Sequence, residues 1–266
     1  KVFLTEHKHK ITNKDVNIIK VKKTNLENVK KILEENKIDV LVNCVGLTNV
    51  EECELNLSNS NYLNSNIPLI LAQVTKELNV KLVHISTDHL FDGLKVFCKE
   101  TDIPKPLNYY AKSKLQGEKN VFSVNKNALV IRTNFFGNGP SYRKSFSDLI
   151  LNSLKLNIKI SLFDDVYYTP IVVNELVRII NILIQMNKSG IFNVVSNERI
   201  TKYNFGVMIA RKFNLPEELI LKSKLKERED LKRRPMDMSL SNLKIKTKLN
   251  MEISSLAKQL DKIKNK

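Results

Sequence analysis

Tyr110 and Lys114 stand four residues apart in the segment Tyr110-Ala111-Lys112-Ser113-Lys114. On a helix that spacing puts both side chains on one face. An ammonium beside a phenol favours the phenolate and lowers the tyrosine pKa. Such a pair is a general acid and base usable near neutral pH. Taken alone, the same spacing also fits a surface ion pair or a helix cap. Two further segments bear on the choice. One apolar run ends in Ile85-Ser86-Thr87-Asp88. A hydroxyl at the carboxyl end of a parallel strand stands where α/β proteins bind ligands. Thr87 is therefore a candidate donor to a substrate carbonyl held beside Tyr110, or else part of a turn or cap. A second run ends in Asn43-Cys44-Val45-Gly46. Gly46 admits close approach of a ligand to the backbone, or marks an ordinary strand-to-helix turn.

Positioning these groups takes alternating strands and helices. Residues 1–6 and 16–21 read as strands, and 25–37 as a helix capped by Asn25. Residues 38–43 form a short, β-branched run that suits a strand covered on both faces. A helix is predicted over 61–78, with Pro68 in its early part, and a buried strand over 81–86. The helix over 109–121 carries Tyr110 and Lys114, and a strand follows at 128–132. Later come helices at 145–156, 172–186, 203–213 and 255–264, with strands at 159–163 and 190–195. The charged stretch 216–235 reads as a partly exposed loop or edge. This alternation predicts a parallel, doubly wound α/β sheet.

Composition narrows the function classes. The 266 residues include 7 glycines, where the usual share of about 7% would give about 18. The length suits one large domain or two small ones and buries a core without staples. A hydrophobic share of 42% excludes a disordered tail as the main identity. No apolar run reaches the about 18 residues of a membrane span, and the first residues hold too short an apolar stretch for a signal peptide. Cys44, Cys53 and Cys98 have neither disulfide-framework nor metal spacing, so a reducing cytoplasm is expected. The four histidines, His7, His9, His84 and His89, make no metal-binding pattern, and no metal is expected. The net charge of +16 comes from 36 Lys and only 8 Arg, beside 31 Asn. Arginine is the better forked phosphate ligand. The excess therefore reads as solvated surface with some pull on anionic small substrates. No nucleic acid and no membrane are expected as partners.

Several strings occur together in a fixed order. They are Val42-Asn43-Cys44-Val45-Gly46, Asn64 ahead of Ile67-Pro68, and His84 to Gly93 (His-Ile-Ser-Thr-Asp-His-Leu-Phe-Asp-Gly). Pro106 to Glu118 and Ile131-Arg132-Thr133-Asn134-Phe135-Phe136-Gly137 follow, with weaker echoes at Asp164-Asp165, Thr169-Pro170 and Arg233-Arg234-Pro235. On these strings the chain resembles the extended short-chain dehydrogenase/reductase superfamily, closest to the dTDP-4-dehydrorhamnose reductase group. The resemblance implies a Rossmann-type doubly wound sheet with a small C-terminal α+β substrate-binding region. Residues 1–133 with about 172–195 would hold the cofactor, and 134–171 with 196–266 the substrate.

The same resemblance implies that Thr87, Tyr110 and Lys114 are catalytic. Tyr110 would protonate the carbonyl oxygen, Lys114 would bind the nicotinamide ribose and tune Tyr110, and Thr87 would orient the carbonyl. Cys44, Val45, Gly46, Asn64, Ser86, Thr133 and Asn134 would border the cofactor, with Tyr110 and Lys114. Thr87, His89, Phe135 and Arg234 would meet the substrate, Arg234 or Arg233 through a diphosphate. The implied reaction is NADPH-dependent reduction of a keto-deoxysugar nucleotide for cell-surface polysaccharide. Another sugar-nucleotide reductase or epimerase, or a non-catalytic regulatory subunit, are the alternatives. A homodimer is common in such relatives.

Two departures stand out. The family's first strand, glycine-rich turn and helix cradle the pyrophosphate, yet the first glycine here is Gly46. A first βα unit of about 30 residues is expected to be missing, through an incompletely represented chain, a shortened gene or a partner that supplies it. Where relatives carry an acidic residue near adenine, this chain has Lys22-Lys23-Thr24, and Glu6-His7-Lys8-His9-Lys10 lies on the same edge. Basic residues there suit the extra phosphate of NADP over NAD.

Overall fold

Leu129, Val130 and Ile131 are fully buried, as a strand covered on both faces requires. The computed structural model that shows this describes residues 1–6, 10–11, 15–21, 23–140 and 142–263. The first half runs β1 (Phe3–Glu6), β2 (Asn17–Lys20), α1 (Leu26–Glu35), β3 (Val40–Asn43), α2 (Val50–Leu55), α3 (Leu57–Asn61), α4 (Ile67–Glu77), β4 (Lys81–Ile85), α5 (Tyr109–Val124) and β5 (Leu129–Arg132). Then come β6 (Phe135–Phe136), α6 (Phe146–Lys155), β7 (Ile160–Phe163), β8 (Tyr167–Tyr168), β9 (Ile171–Val172), α7 (Val173–Gln185) and β10 (Gly190–Asn193). The chain continues through β11 (Ile200–Thr201), α8 (Lys202–Lys212), β12 (Ile220–Ser223), α9 (Leu243–Leu249) and α10 (Leu256–Leu260).

The central sheet is parallel, in the order β10-β5-β4-β3. Its pleat sorts the side chains to two faces. Val83, Leu129 and Ile131 pack with Ile179 and Leu183 of α7 and Ile245 of α9. Leu82 and Val130 pack with Val29 of α1, Leu71 and Val74 of α4 and Val121 of α5. Helices on both faces make the doubly wound α/β fold that the alternation predicts. A separate core gathers Ile150, Leu154, Leu162, Tyr168, Phe205, Ile209 and Ile220.

Three local features depart from expectation. Residues 38–43 do not make a strand covered on both faces, since Val42 stays 47% exposed, and among the described residues β3 pairs with β4 alone. Nor, among the described residues, do β1 and β2 join the central sheet. They pair in parallel with each other, Phe3 opposite Asn17. The helix predicted over 61–78 runs unbroken to Glu77, but it begins earlier, with α3, and carries a π-helical turn at Tyr62–Asn66 just ahead of α4, which has Pro68 at its start. Proline has no N–H to continue the ladder and tolerates only a first helical turn. The wide turn ahead of it sets the Asn64 carbonyl against α5. A Cβ on Gly117 would overlap that oxygen, so only glycine fits there.

The glycine shortage has a local counterpart. Asn79, Asn157, Asn187 and Asn214 follow the ends of α4, α6, α7 and α8 with φ of 54°, 55°, 48° and 51°. The amide one residue further on reaches back to the helix in each case, as Val80 does to Thr75. Asparagine tolerates the left-handed conformation and takes the position usually held by glycine.

Candidate active site

Asn108 sets where the key helix starts. Its side-chain oxygen accepts from the Ala111 amide at 2.9 Å, and its amide donates to the Arg233 carbonyl at 3.0 Å. The cap thus ties α5 to the distant 233–235 segment. Along one face of α5 follow Tyr110, Lys114 and Glu118, all buried. They pack toward the carboxyl end of β4, where Ser86, Thr87 and Asp88 are buried in turn. The Thr87 hydroxyl, which meets Asp88 and the His89 amide, lies near enough to the Tyr110 phenol to act on it. His89 sets its ring edge-on against Tyr110, with centroids 5.5 Å apart. The three residues predicted to be catalytic are therefore gathered at one sheet edge.

The electrostatics differ from the simple phenol–ammonium pair. Burial pushes the Tyr110 phenol well above its ordinary range, with Thr87 opposing and Asp88 and Cys53 adding to the rise. The Lys114 ammonium instead donates to the Ile85 carbonyl at 2.6 Å. Burial pulls it down to about 8, while Glu118 and Cys44 hold it up. The lowered tyrosine pKa expected from the sequence is thus replaced by a raised one, because desolvation outweighs every charge nearby.

The other predicted site residues fall into three groups. Cys44 and Val45 are exposed beyond β3, and the Val45 amide donates to the Asn43 side chain at 3.0 Å. Beside them, a Cβ on Gly46 would stand 3.0 Å from Asn64 Oδ1 and 3.9 Å from Lys114 Nζ. Asn64 is fully buried; it binds the Leu47 backbone in both directions at 2.9 Å and donates to Ser113 Oγ at 3.0 Å. These residues adjoin Lys114. A second group borders Thr87. Asn134 donates to Asp88 at 2.7 Å, and Asp88 Oδ1 lies 3.9 Å from the His89 ring. Arg234 acts on the His89 charge from its ion pair with Glu51 at 2.7 Å. In the third group the side chains are engaged elsewhere or turned outward. The Ser86 hydroxyl is held by Glu118 and that of Thr133 by the Val194 carbonyl at 2.7 Å, while Phe135 is 52% exposed. His7, Lys8, His9 and Lys22, part of the basic edge read as favouring NADP, lie outside the described residues.

Four charged residues near the site escape a reading by motif. Asp88 links Asn134, Thr87 and His89. Arg143 hydrogen-bonds Thr48 and acts on Tyr110. Lys202 lies 3.4 Å from the Tyr168 ring centroid, and burial draws it down to about 8 against the pull of Asp88. Glu118 was within reach of sequence reasoning, since it repeats the four-residue step from Tyr110 to Lys114. Arg143 and Lys202 carry no local signal; they come in from segments remote in the chain.

Comparisons with known proteins bear on the family and the fold. The probable low-salt glycan biosynthesis reductase Agl14 of Haloferax volcanii is 33% identical over 70% of this chain and 63% of its own length. Methionine adenosyltransferase 2 subunit beta of Bos taurus is 29% identical over 71% of this chain and 58% of its own. The chain thus spans less than two thirds of these curated relatives. A hypothetical dTDP-4-dehydrorhamnose reductase from Sulfolobus tokodaii superposes with a TM-score of 0.86 at 30% identity, over 99% of this chain and 91% of that one. The dTDP-4-dehydrorhamnose reductase of Bacillus anthracis, in complex with NADP, superposes at 0.85 with 22% identity, over 94% of this chain and 90% of that one, and shares the fold. Residues 4–266 match the model of the RmlD substrate binding domain, and the chain belongs to that family.

Proposed function

We propose that this chain carries the reaction centre of an NADPH-dependent reductase of dTDP-4-dehydrorhamnose reductase type. Its substrate is a keto-deoxysugar nucleotide, made in the cytoplasm for cell-surface polysaccharide. The observation that carries this reading is the burial of Thr87, Tyr110 and Lys114 together at the carboxyl end of β4, with Lys114 one turn beyond Tyr110 on the same helix face and bonded to the Ile85 carbonyl. The NADP complex of the Bacillus anthracis protein supports the cofactor, with NAD as the second candidate.

The residues present fit such a cofactor. Gly46 leaves a backbone-lined surface beside Asn64 and Lys114 that a side chain would fill. Cys44, Val45, Gly46 and Asn64 would hold it there, with Ser86, Thr133 and Asn134 further along the sheet edge. The bound dinucleotide supplies the hydride. Tyr110, kept protonated by its burial, holds the proton that the reduced carbonyl oxygen takes up. Thr87 donates to the same oxygen and stabilises the charge that develops on it. Lys114 supplies a cation behind Tyr110. His89, Phe135 and Arg234 face the substrate side, Arg234 through the diphosphate. In this reading residues 1–133 with about 172–195 bind the cofactor and 134–171 with 196–266 the sugar nucleotide.

A regulatory subunit is the second reading, favoured by the similarity to methionine adenosyltransferase 2 subunit beta. Incubating the protein with NADPH and dTDP-4-dehydrorhamnose separates the two. Substrate-dependent loss of reduced-nicotinamide absorbance is expected. NADPH binding without turnover on any keto-sugar nucleotide selects the regulatory reading.

A further inference from the structure

Glu118 takes no part in that proton transfer, yet it is the most connected charge behind the site. Its carboxylate accepts from the Ser86 hydroxyl at 2.5 Å. It also accepts three bonds from Arg132 on β5, at 3.0, 3.2 and 2.7 Å. Both ionic partners are 2% exposed, and the guanidinium lies 5.7 Å from the centre of the Phe91 ring. One helical turn earlier, Lys114 binds the Ile85 carbonyl at 2.6 Å. Two α5 residues one turn apart thus grip two consecutive residues at the end of β4. The next residue of the strand is Thr87, and the preceding turn of the helix bears Tyr110. A slide or rotation of α5 on β4 would break both grips together.

We propose that Glu118 is a positioning residue: with Ser86 and Arg132 it fixes the register of α5 on β4 and keeps a negative charge beside Lys114, so that Thr87, Tyr110 and a protonated Lys114 meet. Its catalytic consequence rests on the reductase reading; its effect on Lys114 does not. The groups facing Lys114 are Glu118 on its own helix, Cys44 beyond β3, and His84 and the Ile85 carbonyl on β4. His84 is held neutral by burial, and local desolvation around its sulfur pushes up the thiol of Cys44, although the residue as a whole is exposed. Glu118 is therefore the carboxylate that keeps Lys114 charged against its own desolvation.

Selective ¹³C labelling of the lysine side chains, with Lys114 assigned through Lys114→Arg, reads the midpoint directly. In Glu118→Gln the Lys114 midpoint is expected to fall by about one pH unit, and the alkaline limb of the kcat profile to move down with it. Ser86→Ala keeps the Glu118–Arg132 pair and so folds where the first variant fails. It is expected to leave the Lys114 midpoint in place and to lower kcat. A wild-type midpoint in Glu118→Gln, or wild-type kcat in Ser86→Ala, overturns the proposal. If the unmutated protein turns over no keto-sugar nucleotide while the midpoint shift appears, the reductase reading fails and the role of Glu118 beside Lys114 stands.

Discussion

The Lys114 ammonium donates to the backbone carbonyl of Ile85, 2.6 Å away on the neighbouring strand, although it shares a helix face with the Tyr110 phenol. Helix and strand are joined by this bond at the last residue of β4, two residues before Thr87. Tyr110 is left with a different environment: the nearby Thr87 hydroxyl, the edge of the His89 ring, and burial that keeps its proton on. The centre is thus arranged around a protonated phenol, which is the form a carbonyl reduction draws on.

Tyr110→Phe removes that proton and little volume. Turnover with NADPH and a keto-sugar nucleotide is expected to fall by at least about a hundredfold. Binding of NADPH, followed by nicotinamide fluorescence, should stay near the unmutated value. Turnover that survives the change would take Tyr110 out of the mechanism.

Gly117→Ala puts a methyl group onto the Asn64 carbonyl oxygen, which belongs to the backbone of the π-helical turn and cannot swing aside. The turn and α5 must separate. A loss of about 1–3 kcal/mol, the range for overpacking, is expected in urea unfolding, with reduced cofactor affinity because Asn64 and Gly46 shift together.

Arg132→Met leaves the Glu118 carboxylate buried without its ionic partner. Breaking a buried pair from one side costs about 3–5 kcal/mol. Urea unfolding should show that drop. A stability within experimental error of the unmutated protein would mean that the pair is not closed in solution.

Lys114 and Lys202 both titrate at about 8 in the folded chain, against an ordinary 10.5. Between about pH 8 and about pH 10 the unfolded chain therefore holds more protons at these two sites than the folded one. Stability from these groups must rise with pH across that window. Above it, Tyr110 and Tyr168 act in the opposite sense, since burial raises both phenols. Chemical unfolding at several pH values checks the sign: replacing both lysines with methionine should flatten the rise. An unchanged slope would show that neither lysine is desolvated as the structure has it.

Much of this was legible in the linear chain because it depends on local repetition. The four-residue step places Tyr110 and Lys114 on one face of α5 wherever that helix lies. The apolar runs ending at Asn43, Ser86 and Arg132 announce parallel strands, and their carboxyl ends announce where a ligand would sit. Asn25 and the start of α5 at Tyr109 follow from capping and periodicity. The π-helical turn at Tyr62–Asn66 was half visible in Pro68. The asparagine helix ends were hidden behind a count of missing glycines, since asparagine serves the left-handed position less often than glycine does.

What the tertiary structure alone decided is who meets whom across the chain. Asn108 binds Arg233, Glu118 binds Arg132 and Ser86, Arg143 reaches Thr48, and Lys202 settles over Tyr168. None of these pairs has a spacing that periodicity can signal. The tertiary structure also set the direction of the Tyr110 pKa. Residue types alone announce an ammonium next to a phenol, whereas burial, a property of the whole fold, overrides a nearby charge when the group loses its water.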